Sequence, residues 1–346
     1  MKTLLQAKIP DTTRVQVLNE LGLKYTYSST DTALIFVKEA LSISEEIDFA
    51  PGKAHAHYVM ISVYRLLGKY PEALKNGFES LKFYEETQDK PHLARTLNNI
   101  GSIYFRIEDY DKALSNYQQS LKIWEGLNNE RSQAVQFVNI GNVYKLKNQQ
   151  DKALDYYLQA LAINRRLSTK LQTSVNLENI GSLYISQSKY DLALPYFFES
   201  LEISQEINDR QGIASITRYI AEVYHQTDQA QKSFEYAERS LKVAAKNKLK
   251  IEAAEASLIL SENYSKAGDY RKALEFYRLH TTYNDSIYDA AKLRELSSLE
   301  SSYEIQQKEQ ELKIQEQTIA LLNQDNKIDR IWRNILAGGL IVIGLL

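Results

Sequence analysis

Apolar residues return at helical spacing in block after block of the chain. In residues 94–107 (ARTLNNIGSIYFRI), Leu97, Ile100, Gly101 and Tyr104 share one face. After the short turn Glu108-Asp109-Tyr110, a second run from Asp111 to Trp124 does the same with Leu114, Tyr117, Leu121 and Trp124. Recurrence every three or four residues marks an amphipathic helix, so each block predicts two helices joined by a short turn. Asp111 puts an acidic side chain at a helix N-terminus, where free N–H groups favour negative charge. Pro71 stands at the equivalent place in its own block, where a missing N–H costs little.

The blocks repeat. Ala33, Ala73, Ala113, Ala153, Ala193, Ser233 and Ala273 recur every 40 residues. Eight residues after them stand Leu41, Leu81, Leu121, Leu161, Leu201 and Leu241, with Thr281 in the last block. Tyr64, Tyr104, Tyr144, Tyr184, Tyr224 and Tyr264 keep the same stride, and Tyr25 joins them after a one-residue shift. Small residues at Gly101 and Ala113 let two helices approach, while Tyr104 and Tyr117 fill the space beside them. A single helix pair cannot bury its apolar face, so neighbouring pairs must stack. The predicted fold is all-α, with seven 40-residue units over residues 12–281.

Gly101, Tyr104, Ala113 and Tyr117 stand in the relative positions of the Gly, Tyr, Ala and Phe of the tetratricopeptide pattern. Gly141/Tyr144/Ala153/Tyr157 and Gly181/Tyr184/Ala193/Phe197 repeat it. Over residues 15–281 the chain therefore resembles the tetratricopeptide repeat family, in a long-helix form. The resemblance implies a right-handed superhelical solenoid whose concave face, lined by the first helix of each unit, binds protein or peptide. Ile61 with Gly77, and Ala221 with Ser233 and Ala237, depart from the pattern, so bulk is redistributed between the helices of those units. HEAT-type helices share the period but lack the Gly-x-x-Tyr and Ala-x-x-x-aromatic pattern.

Asn99, Asn139 and Asn179 recur immediately before the Ile-Gly pair. A side-chain amide donates and accepts at once, which suits the backbone of an extended peptide, and in long-helix relatives the corresponding Asn residues grip peptide backbone. By the family pattern Asn98, Asn142 and Arg95 also face the groove, with Arg218 further along it. The alternative is that these amides cap or bridge adjacent helices. The full Lys and Asn pattern with which chaperone-docking members clasp a carboxylate is missing.

Composition narrows the chemistry. A formal net charge of −2 builds no basic field for nucleic acid, and the absence of Cys excludes thiolate catalysis, disulfides and thiolate metal sites. With 13 Gly and 5 Pro, the 346-residue chain suits long helices better than a many-stranded sheet. His55 and His57 lie two apart and point different ways on a helix, a poor metal pair, and His280 reads as packed against its neighbour. No phosphate loop and no HExxH is present. No catalytic residue, metal or cofactor is expected.

After Thr281 the stride stops. Residues 282–330 predict a long polar helix, with Ile305, Leu312 and Ile319 seven apart, and Ile314, Leu321 and Ile328 likewise. That spacing suggests a coiled coil, with a parallel homodimer through residues 286–330, or else a single solvated helix on the last repeat. Residues 331–346 include the uncharged run ILAGGLIVIGLL, read as the start of a truncated transmembrane helix or as an apolar tail packed on the protein. This order resembles the sensor region of Bacteroidetes-type membrane-bound histidine kinases or helix-turn-helix regulators. It implies a membrane-anchored, single-span sensory input region with extracytoplasmic (periplasmic) repeats, whereas Lys327, Arg330 and Arg333 favour the cytoplasm on their side. A membrane-anchored scaffold without signalling is the alternative.

Overall fold

The structure, a computed structural model, describes residues 10–285. They form α1 (Asp11–Tyr25), α2 (Thr30–Glu46), α3 (Ala50–Leu66), α4 (Tyr70–Glu86), α5 (Lys90–Arg106), α6 (Tyr110–Gly126) and α7 (Glu130–Leu146). The series continues with α8 (Gln150–Arg166), α9 (Lys170–Ser186), α10 (Tyr190–Glu206), α11 (Arg210–Gln226), α12 (Ala230–Asn247) and α13 (Lys250–Lys266). Residues 270–285 are helical as well (α14). Odd-numbered and even-numbered helices pair as hairpins, and successive hairpins stack into an all-α solenoid of seven units.

The turns set the stride. From Asp48 to Gly268 one residue in every 20 has positive φ, and only Gly68 and Gly268 among them are glycine. After α5, Asp109 N–H reaches Tyr104 O at 2.9 Å and Glu108 N–H reaches Phe105 O at 3.3 Å. This pair of bonds, closed by a left-handed residue, satisfies carbonyls that the helix end would otherwise leave unpaired. The same long bond recurs from Gln149 to Tyr144 (2.8 Å), Gln229 to Tyr224 (2.9 Å) and Asp269 to Tyr264 (2.9 Å). Asp89, Asp109 and Asn129 start the helices that follow them by accepting from the backbone N–H groups of His92, Lys112 and Ser132.

Inside three consecutive hairpins a glycine of the first helix lies under an aromatic ring of the second. A Cβ on Gly101 would sit 2.8 Å from Tyr117 Cε1; on Gly141, 2.6 Å from Tyr157; on Gly181, 2.6 Å from Phe197. The expected small positions Ala33, Ala73, Ala113, Ala153, Ala193 and Ser233 are fully buried. The recurring tyrosines occupy equivalent slots. Lys112 lies 5.2 Å from the Tyr104 ring, Lys152 5.1 Å from Tyr144 and Lys232 4.9 Å from Tyr224. Tyr144–Tyr156 and Tyr184–Tyr196 ring centroids lie 5.5 and 5.6 Å apart. Where the pattern lapses, the bulk has indeed moved: a Cβ on Gly77 would meet Ile100 at 2.8 Å, and Ser233 Oγ donates to Ala221 O at 2.9 Å.

Among the described residues no helix is long and apolar enough to cross a membrane. This corrects the expectation of a membrane-anchored, single-span protein with periplasmic repeats. The sequence argument rested on twelve apolar residues from Ile335 to Leu346, about 18 Å of helix against the roughly 30 Å of a bilayer core. Those residues, like the coil expected from 286 to 330 and its homodimer, lie outside the described residues. Neither the anchor nor the dimer has support.

Candidate functional site

The first helices of successive units lean on one another, as α1 does on α3, α3 on α5, α9 on α11 and α11 on α13. Helices placed edge to edge in this way line the inner, concave side of a solenoid. Their mutually facing side chains form a row of polar links, at least one at each junction from α3 to α13. The Tyr58 hydroxyl pairs with Asn99 between α3 and α5. Asn98 Oδ1 accepts from Gln136 Nε2 (3.1 Å) and Asn139 Nδ2 (2.9 Å) between α5 and α7. Lys145 Nζ donates to Ser182 Oγ at 2.7 Å between α7 and α9. Ser215 Oγ donates to Glu178 Oε1 at 2.6 Å between α11 and α9. His225 Nδ1 lies 2.7 Å from Asn263 Oδ1, joining α11 to α13, with Nε2 3.3 Å from Glu262.

The sequence-derived residues fall into this row unevenly. Asn98, Asn99 and Asn139 form one cluster, Asn98 Nδ2 also reaching Asn99 Oδ1 at 3.5 Å. Asn142 accepts from the Tyr157 hydroxyl at 2.7 Å, within its own hairpin. Asn179 makes no hydrogen bond among the described residues and is half-buried. Arg95 is exposed, its guanidinium 6.0 Å from the Trp124 ring. Arg218 packs 3.7 Å over Tyr219 and pairs with Glu222 at 3.3 Å. Asn98 and Asn139 thus do bridge helices.

Several groove residues were not singled out from sequence. Gln136 and Asn176 stand one repeat apart, buried at 2% and 1% exposure, and each holds a polar atom without a partner, Gln136 Oε1 and Asn176 Nδ2. Their shared register was the available signal. Glu178 and Lys145 were missed too, because a lone charged residue on an inner face reads as solvated. Burial pushes the Glu178 carboxyl up, with the Ser215 hydroxyl and Arg218 pulling it back. Burial pushes the Lys145 ammonium down, opposed by Glu178. Glu222 is raised by burial, against the pull of Arg218.

His57, His225 and His280 are engaged structurally. His57 Nδ1 lies 2.7 Å from Asn76 Oδ1, and His280 Nδ1 2.9 Å from Ala254 O. The His280 bond takes the place of those by which Ser120, Ser200 and Ser240 clip second helices to Ala94, Ser174 and Ala214 carbonyls. Among the described residues no group of three or more His, Asp or Glu is placed to hold a metal ion.

Comparison with known proteins agrees with this architecture. Solved structures sharing the fold include the apo form of RapI, at 18% identity and a TM-score of 0.64, covering 80% of this chain and 99% of that one. The apo form of the quorum sensor NprR from B. thuringiensis matches at 15% identity and a TM-score of 0.66, over 82% of this chain and 79% of its own. A Rap protein complexed with Competence and Sporulation Factor matches at 16% identity and a TM-score of 0.60, covering 83% and 79%. At these identities the likeness shows the fold. No curated protein matches. The likeness to membrane-bound histidine kinases and helix-turn-helix regulators, and with it the two-component signalling reading, finds no support here and is withdrawn. The tetratricopeptide repeat profile TPR_12 matches residues 52–126, 92–166, 132–206, 172–246 and 212–282 in overlapping pairs of hairpins, and the chain belongs to the tetratricopeptide repeat family.

Proposed function

We propose that the chain acts by binding, without catalysis, and that the array over residues 12–281 holds an extended segment of another polypeptide along its inner face. The observation that carries this is the amide register of the first helices. Asn99, Asn139 and Asn179 sit half-buried on successive first helices, and Asn179 has its whole amide free. Amides at a constant stride can pair with the carbonyls and N–H groups of an extended chain, which repeat at a constant stride themselves. Arg95, Asn98, Asn142 and Arg218 flank that line and would contact the side chains of the bound segment. A Rap protein complexed with Competence and Sporulation Factor, which shares this fold, makes a regulatory binding role the natural comparison.

The test is selection of a displayed random-peptide library on the purified chain. Enriched peptides are expected to lose at least about tenfold in affinity when Asn99, Asn139 and Asn179 are all changed to alanine, each lost hydrogen bond contributing roughly 0.5–1.5 kcal/mol. Helicity should stay the same. Affinity equal to that of the parent chain would refute the amide register.

A further inference from the structure

Between the N-terminal halves of α7 and α9 lies a cleft of ≈ 340 Å³. Val135, Val138, Leu171 and Val175 wall it. Three of them, Val135, Leu171 and Val175, are 46%, 46% and 44% exposed. Apolar side chains gathered in a concavity and left this open are not what a folded core asks for; they mark a contact surface. The volume lies at the small end of ligand cavities, which suits one bulky residue and not a whole peptide.

Three features around the cleft favour an electronegative group. Arg131 stands at its edge, exposed, with no hydrogen bond or ion pair among the described residues. Asn176 lines the cleft at 1% exposure, and its Nδ2 has no acceptor. Asn164 Oδ1, also in the lining, accepts from Thr169 Oγ1 at 2.9 Å and makes no bond to Asn176. The N-terminal ends of α7 and α9 add partial positive charge. A free cation, an unpaired amide donor and two helix N-termini all ask for an acceptor that carries negative charge.

We propose that this cleft is the specificity pocket of the groove, taking one branched aliphatic or aromatic side chain together with a carboxylate next to it in the bound polypeptide. The proposal rests on the polypeptide-binding reading above. The apolar walls enclose the side chain. Arg131 pairs with the carboxylate, and Asn176 Nδ2 donates to the carbonyl beside it. The carboxylate is that of an Asp or Glu next to the seated side chain, since the Lys and Asn pattern that clasps a chain end is missing from the sequence.

Small probes test this without any polypeptide partner. The ¹⁵N-labelled chain is titrated with N-acetyl-leucine, with N-acetyl-leucinamide and with N-acetyl-alanine, following the Asn176 side-chain amide resonances. N-acetyl-leucine should shift them saturably. Loss of the carboxylate in the amide should weaken binding about two- to fivefold, the scale of one exposed ion pair. Shortening leucine to alanine should weaken it about tenfold or more. N-acetyl-leucyl-aspartic diamide tests the source: it should bind at least as tightly as N-acetyl-leucine, and weaker binding would overturn the acidic neighbour. Because Arg131 is exposed, R131Q should leave helicity unchanged and erase the preference for acid over amide. Val175→Ser should weaken both leucine probes. No saturable shift in the parent chain, equal response to the alanine probe, or an acid preference that survives R131Q would each overturn the proposal. A chain that enriches library peptides yet ignores the probes refutes the pocket alone; one that binds the probes yet enriches no peptide refutes the wider reading.

Discussion

Gly141 shows how much one missing methyl can matter. Its helix would gain about 1 kcal/mol in propensity from alanine, but the new Cβ would stand 2.6 Å from the Tyr157 ring, whose hydroxyl is tied to Asn142. Overpacking a closed interface costs about 1–3 kcal/mol, so Gly141→Ala is expected to lower stability in a urea titration, and a gain would contradict the packing. The turns predict the opposite sign. Glu108 is exposed at φ +62°, a conformation that costs an L-residue about 1–2 kcal/mol and glycine almost nothing. After glycine's greater unfolded-state entropy is set against that, Glu108→Gly should stabilise by about 0.5–1 kcal/mol. An unchanged midpoint would show that the turn bonds from Glu108 and Asp109 already hold the conformation free of strain.

Between elements, the links from α3 to α13 tie each first helix to the next through side chains, and Glu178 is one whose burial makes it respond to pH. Its folded carboxyl is raised above the ordinary range, chiefly by burial, so folding is favoured while it is protonated. That contribution is complete below the unfolded value, about 4.3, and is lost as pH rises through the folded one. Glu178→Gln removes the dependence and can still accept from Ser215. The difference in melting temperature between variant and parent should therefore move in the variant's favour from about pH 4 upward; a constant difference would contradict it. The hairpins themselves were legible because each small–aromatic pair is a local spacing that recurs: Gly141 with Tyr157 and Gly181 with Phe197 are visible as text. The links were legible only in part. Asn98 and Asn139 could be placed on the inner face by register, yet their bond joins residues 41 apart in sequence, and its geometry follows from how closely α5 and α7 pack. Glu178 and Lys145 carried no signal, because desolvation depends on what the neighbouring helix brings over them. The anchor expected from the apolar run at 335–346 finds no support among the described residues, where no helix is long and apolar enough to cross a membrane.

At the scale of the whole molecule, the equal spacing of left-handed residues from Asp48 to Gly268 means that the array has no privileged middle. Its length is therefore editable, but only in whole steps. Excising residues 129–168 joins Asn128 to Thr169, the counterpart of Asn129 in the next unit, so a first helix again follows a second helix. The shortened chain should melt in one cooperative transition with undiminished helicity per residue. Excising residues 129–148 joins α6 to α8 and presents a second-helix surface where a first helix belongs; cooperative melting should be lost, and a sharp transition there would show that the two kinds of helix are interchangeable. Evolution has the same two operations open to it, so descendants of this array should differ in size by complete hairpins, each addition lengthening the trough without disturbing what is already bound in it.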